Sequence, residues 1–142
     1  MELDRNDLVY LFTNTTEYRG WGYMLANGAT TSWESWTGQS HIHDTLITIG
    51  EWFIEGVVGI RSDGKSPGFS HFVIKPSVVG DLTSARAGYR SIHGDVVGEW
   101  RIEKGTFRLN VTVPPGTADT VFVPGKPAVE VVAGKHSFET AL

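Results

Sequence analysis

The spacing of apolar residues changes part-way along the chain. Up to about residue 60 they recur in steps of three and four, and from Phe69 onward they alternate with polar residues. The first spacing predicts helices and the second predicts strands. Asp4 to Thr13 reads as a short helix capped by Asp4, with Leu8, Leu11 and Phe12 on one face. Polar residues Asn14–Gly20 break it, and Trp21-Gly-Tyr-Met24 leads an aromatic segment to Gly28. Thr30-Thr31 then offers hydroxyls at a helix start. The clearest expected helix runs from Ile42 to Val58, where Leu46, Ile49, Phe53, Val57 and Ile60 form a stripe widened by Ile47 and Trp52. Gly59 is a suitable stop, and His43 falls in the first turn.

The second regime begins after Ser62–Gly68, a turn-forming linker. Strands are expected at Phe69–Lys75, Leu82–Arg90, Asp95–Glu103, Thr106–Val113, Asp119–Val123, Val129–Val132 and His136–Glu139. Pro114-Pro-Gly116 is read as ending the fourth. Trp100 shares parity with Ile102 and should face a core. Seven or so short strands with frequent turns predict an antiparallel β-sandwich. The expected fold is mixed: a short helical segment over residues 1–62, then an all-β module over 67–142. The apolar faces of the helices are too wide for two short helices to cover each other. They read as the end of a larger helical body, and left uncovered, the Leu46, Ile49, Phe53 and Val57 stripe should drive self-association.

Composition narrows the classes. A net charge of −4 argues against nucleic acid as a partner. No apolar run approaches the length of a membrane span. There is no cysteine, so disulfides and thiolate metal sites are excluded. The acidic Met1-Glu-Leu-Asp4 lacks the basic region of a signal peptide, which favours a cytoplasmic location if Met1 is the natural start.

The densest chemistry lies in Gly28-Ala-Thr-Thr-Ser-Trp-Glu-Ser-Trp36, followed by Ser40-His-Ile-His43. Glu34 sits between the indoles of Trp33 and Trp36, and two imidazoles follow. Indoles stack on the C–H faces of a sugar, while carboxylates and imidazoles handle hydroxyls and protons. The competing reading makes Trp33 and Trp36 core residues on one helix face, with Glu34 in water. His41 and His43 are two apart and have no evident third ligand, so a histidine metal site is not expected, while calcium on loop carboxylates stays open; no cofactor is expected.

The run Trp21-Gly-Tyr-Met-Leu-Ala-Asn-Gly-Ala-Thr-Thr-Ser-Trp-Glu-Ser-Trp36 resembles the late segment of bacterial α-L-rhamnosidases of glycoside hydrolase family 78. Ser40-His-Ile-His43, Gly50-Glu-Trp-Phe53, Gly56-Val-Val-Gly-Ile-Arg61 and Pro67–Pro76 resemble it in the same order, as do Gly80-Asp-Leu82, Tyr89-Arg-Ser91 and Gly94. The resemblance implies that residues 1–62 are the last helices of a catalytic (α/α)₆ barrel and 67–142 the C-terminal sandwich. It implies an inverting hydrolase of rhamnose-containing glycosides, in which one carboxylic acid protonates the leaving oxygen and another activates water. The general base falls on Glu34, with Trp33, Trp36 and His43 in or beside the rhamnose pocket. Ser35 stands where the family often has Arg, and Ile42 where it commonly has Asn. The family's general acid belongs to an upstream segment that none of Glu17, Asp44, Glu51 or Glu55 matches. The chain alone is therefore expected to be inactive and to need the barrel segment it lacks as its partner. The alternative is a non-catalytic carbohydrate-binding or structural module, which an outward-facing Trp100 beside Tyr89 would favour.

Overall fold

The computed structural model describes residues 4–37, 39–44 and 46–142. The acidic start at Met1–Leu3 and position 45 of the expected long helix lie outside them. The chain divides into two compact units, the first ending at Trp52 and the second comprising Phe53–Leu142.

Among its described residues the first unit carries three short helices, α1 (Asn6–Asn14), α2 (Trp21–Ala26) and α3 (Ile49–Trp52). Asp4 does not cap α1. The cap position is Arg5, without a side-chain cap bond, and Asp4 instead accepts from the Asn6 amide at 3.3 Å. Asn6 is buried, and its Oδ1 takes the Trp52 indole N–H at 2.8 Å, which pins α1 to α3. Gly28, at φ 82, ends α2 in the left-handed conformation that suits glycine, and Ala29 N–H closes back onto Met24 O at 2.9 Å.

The expected helix over 42–58 is not continuous. Among its described residues only Ile49–Trp52 is α-helical, and Phe53–Val58, in the second unit, is wound as a π-helix ending with Gly59 N–H on Ile54 O at 2.8 Å. Before α3 the turns are tighter, with Ile47 N–H on Asp44 O and Gly50 N–H on Ile47 O. Indoles account for part of this. Trp21 donates to Leu46 O at 3.0 Å, the carbonyl that a continuous α-helix would pair with Gly50 N–H, while the Trp100 bond to Val57 O at 3.0 Å takes a last-turn carbonyl that has no partner within the helix. His43 therefore lies in a loop, not in a first helical turn. The expected stripe is also split: Val57 is buried, Leu46 and Ile49 are half-buried and Phe53 is exposed.

The second unit is one six-stranded sheet. Its strands are β1 (Ile60–Ser62), β2 (His71–Ile74), β3 (Ser84–Ser91), β4 (Gly94–Glu103), β5 (Thr106–Val121) and β6 (Val129–Ala141). Their order is β1-β2-β5-β4-β3, with β6 paired to β5. Three expectations are corrected here. The strands form one sheet where two stacked sheets were expected. That sheet is mixed, because β2 pairs parallel to β5, with Phe72 opposite Asp119. And Pro114-Pro-Gly116 does not end a strand: β5 runs through it, and residues 114–117 bulge between the Val113–Gly134 and Ala118–Val132 pairs. The bulge is satisfied from within, since Thr117 Oγ1 donates to Pro114 O at 2.8 Å. Each half of β5 thus pairs on both edges, with β4 and then β2 on one side and β6 on the other.

The sheet curls until its ends meet. Gly98 of β4 lies against Val58 and Ile60, and Trp100 sends its indole N–H to Val57 O, so the segment around β1 seals the open side. The core between them holds Val58, Ile60, Phe72, Ile74, Val96, Trp100, Phe107, Leu109 and Val121, all nearly inaccessible. One carboxylate is buried with them. Asp119 is 0% exposed and neither of its oxygens accepts a hydrogen bond. Burial pushes it up to about 7, only partly opposed by the charge of His71 and by the Ile74 N–H, which lies near the carboxylate without forming a full hydrogen bond.

Candidate active site

The residues singled out by sequence lie on one loop of the first unit. After Gly28, the segments 31–34 and 40–43 run side by side. The Thr31 hydroxyl donates to His41 O, His43 N–H to Ser32 O at 3.1 Å, and Glu34 N–H to Ser40 O at 2.9 Å. This ladder fixes the backbone of Glu34 while leaving its side chain exposed. The Ser35 and Thr37 hydroxyls bond at 2.9 Å near the tip.

The indoles are held by different partners. Trp33 is buried and stacks on the His41 ring, with centroids 5.2 Å apart and planes 19° from parallel. Trp36 meets Trp21 edge-on at 5.3 Å and 89°, and Trp21 is fixed in turn by its bond to Leu46 O. Trp36 is half-buried. No helix carries Trp33 and Trp36.

His43 is half-buried, with Nδ1 3.4 Å from Asp44 Oδ1. It lines a cleft of about 590 Å³ together with Thr31, Ser32, Ile42, Asp44 and Ile47. Trp33, Glu34 and Trp36 are not among the lining residues. The cleft sets hydroxyls, an imidazole and a carboxylate beside the apolar Ile42 and Ile47. That mixture suits a ligand with hydroxyl groups on one side and C–H groups on another. Sequence reasoning overlooked Trp21 and His41 as supports for the two tryptophans. Trp21 opened the recognised motif, so the signal was present. Ile42, noted in the sequence as the start of the long helix and where the family commonly has Asn, forms a wall of the cleft.

Known proteins match both units. Residues 59–138 fit the bacterial alpha-L-rhamnosidase C-terminal domain, and residues 1–57 fit the bacterial alpha-L-rhamnosidase 6 hairpin glycosidase domain. The chain belongs to the bacterial α-L-rhamnosidase family. An alpha-L-rhamnosidase of Streptomyces avermitilis is 33% identical over 130 residues, covering 83% of this chain and 12% of that protein. One from Alteromonas sp. (strain LOR) is 33% identical over 125 residues, covering 80% of this chain and 13% of that protein. Among solved structures, the Streptomyces avermitilis alpha-L-rhamnosidase complexed with L-rhamnose superposes with a TM-score of 0.86 at 30% identity, over 94% of this chain and 16% of that one. The alpha-L-rhamnosidase from Dictyoglumus thermophilum superposes with a TM-score of 0.87 at 26% identity, over 96% and 19%. The chain thus spans about an eighth of the curated α-L-rhamnosidases it matches.

Proposed function

We propose that this chain is the C-terminal part of an inverting α-L-rhamnosidase, in which Glu34 is the general base. On this reading residues 1–62 are the closing helices of an (α/α)₆ barrel, and residues 67–142 form the C-terminal β domain. The observation that carries it is the match of both units, in order, to the two α-L-rhamnosidase domains. A relative's structure described with L-rhamnose bound supports the sugar.

The geometry of the loop supports the role of Glu34. An inverting base must hold a water on the face of the sugar opposite the general acid, with the two carboxyls ~6.5–9.5 Å apart. Glu34 offers an exposed carboxylate on a backbone that the ladder holds still. His43, Thr31 and Ser32 supply hydroxyl-binding groups in the neighbouring cleft. Trp33 and Trp36 flank the base in sequence, and Trp33 shapes the loop through its stack on His41. The general acid and the remaining barrel come from upstream segments, so the 142 residues alone are inactive.

Hydrolysis of p-nitrophenyl α-L-rhamnoside tests the proposal. The longer parent protein should be active, the isolated chain inactive, and Glu34→Gln in the parent should lower kcat by ~10²–10⁴-fold. An unchanged kcat in that variant would remove Glu34 from the mechanism. The alternative of a carbohydrate-binding face on the sheet loses its main support, because Trp100 is 0% exposed with its indole bonded inside the core.

A further inference from the structure

A second group of titratable side chains lies in the β unit, outside the loop of Glu34. His71, at the start of β2, stands between two carboxylates. Its Nδ1 is 3.0 Å from Asp63 Oδ2, and its Nε2 is 3.2 Å from Glu130 Oε2. Thr120 Oγ1 of β5 is 3.1 Å from the same Nε2 and also bonds Glu130 Oε1. Asp63 belongs to the turn after β1, Glu130 to the start of β6. Three parts of the unit therefore meet at one imidazole.

The donor count decides the charge. A carboxylate only accepts, so both ring nitrogens must donate, and a ring with two N–H groups is the cation. A neutral ring has one N–H and would turn a lone pair toward one carboxylate. The two carboxylates are not equally free to leave. Asp63 is fixed, accepting from Lys65 N–H at 3.0 Å and from the Ser66 hydroxyl at 3.3 Å. Glu130 is 66% exposed and sits on β6, which pairs only with β5. Thr120 is already placed to replace it, since its hydroxyl can turn and donate to the vacated Nε2.

We propose that His71 is a pH-operated clasp: as the cation it fastens the Asp63 turn and the start of β6 together, and loss of its Nε2 proton to solvent releases Glu130 while Asp63 stays bound. The neutral form keeps its proton on Nδ1, facing Asp63, and Nε2 accepts from Thr120. This is the minor tautomer of free histidine, which makes it a distinctive signature. Other charges act on the ring as well. Asp119 lies on the opposite face of β5 and adds to the field favouring the cation once it ionises. Partial burial works against the charged ring, but the hydrogen bonds to Glu130 and Asp63 outweigh it, so His71 titrates above its ordinary value. The raised value fixes the sign. The clasp is closed below the ordinary histidine pKa and is lost as pH rises through the raised one. A metal reading has no support, because among the described residues no three His, Asp or Glu side chains are arranged to hold an ion.

The test is an NMR titration of the full 142-residue chain, reading the His71 ring and the exchange protection of the Val129–Val131 amides. The clasp requires a His71 pKa above that of a free histidine, a drop in Glu130→Gln, and the Nδ1–H tautomer at high pH. It also requires amide protection that falls as His71 deprotonates, by about tenfold for each unit of raised pKa. In Glu130→Gln that pH step should vanish. Glu130 is exposed, so the variant should fold, and Asp119→Asn separates the effect of the buried carboxylate. An unmoved His71 pKa in Glu130→Gln, an Nε2–H neutral ring, or protection independent of pH would each overturn the clasp.

Discussion

Ionising Asp119 would place a carboxylate beside its register partners Phe72 and Val131, with no full hydrogen bond to either oxygen. The folded state avoids this by keeping the proton until about pH 7, whereas an unfolded aspartate loses it near pH ~4. Below about pH 4 both states are protonated and the group has no effect. Between these values the unfolded state sheds its proton alone, so stability falls as pH rises, by up to about 4 kcal/mol once both are ionised. Asp119→Asn carries no such proton. Its urea midpoint should match that of the parent chain near pH 4 and exceed it increasingly toward pH 8, and parallel profiles would refute the assignment. Gly98 is a steric counterpart. A Cβ there would come within 2.8 Å of Val58 Cγ1, and Val58 is itself buried. Gly98→Ala should cost ~1–3 kcal/mol of stability, and adding Val58→Ala should recover part of that loss relative to the sum of the single variants. Additive effects would show that the two sites do not touch.

At the scale of elements, alternation was the most readable signal. It located β3, β4 and the first half of β5 to within about two residues, because one inward face per strand leaves a two-residue pattern. It also assigned Trp100 to the core. What escaped it was tertiary in origin. The break expected at Pro114-Pro-Gly116 rests on a local rule, but a bulge lets prolines pass where no ladder bond is needed. The helix over 42–58 had the right apolar spacing, yet the Trp21 indole, from a distant part of the sequence, takes the Leu46 carbonyl that a continuous helix would need. Asp119 could have been noticed, since it shares parity with Val121 and Val123. For the site, residue types and order marked out the loop that carries Glu34 and His43, and their roles rest on the resemblance. The stack of Trp33 on His41 and the cleft beside His43 depend on loop pairing that no periodicity encodes.

For the whole molecule, the first unit leaves several large apolar side chains uncovered. Leu11, Leu25 and Ile42 are 62%, 71% and 81% exposed, and Leu8, Phe12 and Ile47 are exposed as well. Such a surface suits burial against further helices, as the proposed barrel would provide. Without them, the isolated chain should self-associate. Light scattering should show oligomers whose fraction rises with concentration, and Leu11→Glu with Leu25→Glu should shift the population toward monomer. A monodisperse monomer at high concentration would contradict this.

The parallel pairing of β2 with β5 also bears on how the second unit assembles. Phe72 and Asp119 are 47 positions apart, whereas β3, β4 and the first half of β5 join through tight local turns. Closing the longer span costs more chain entropy before any pairing rewards it. The meander should therefore form first, with β1 and β2 docking late onto an edge prepared for them. In a chain growing from its N-terminus, β2 must wait, apolar and half-paired, until β5 has been made. A holding chaperone would find its target in that interval.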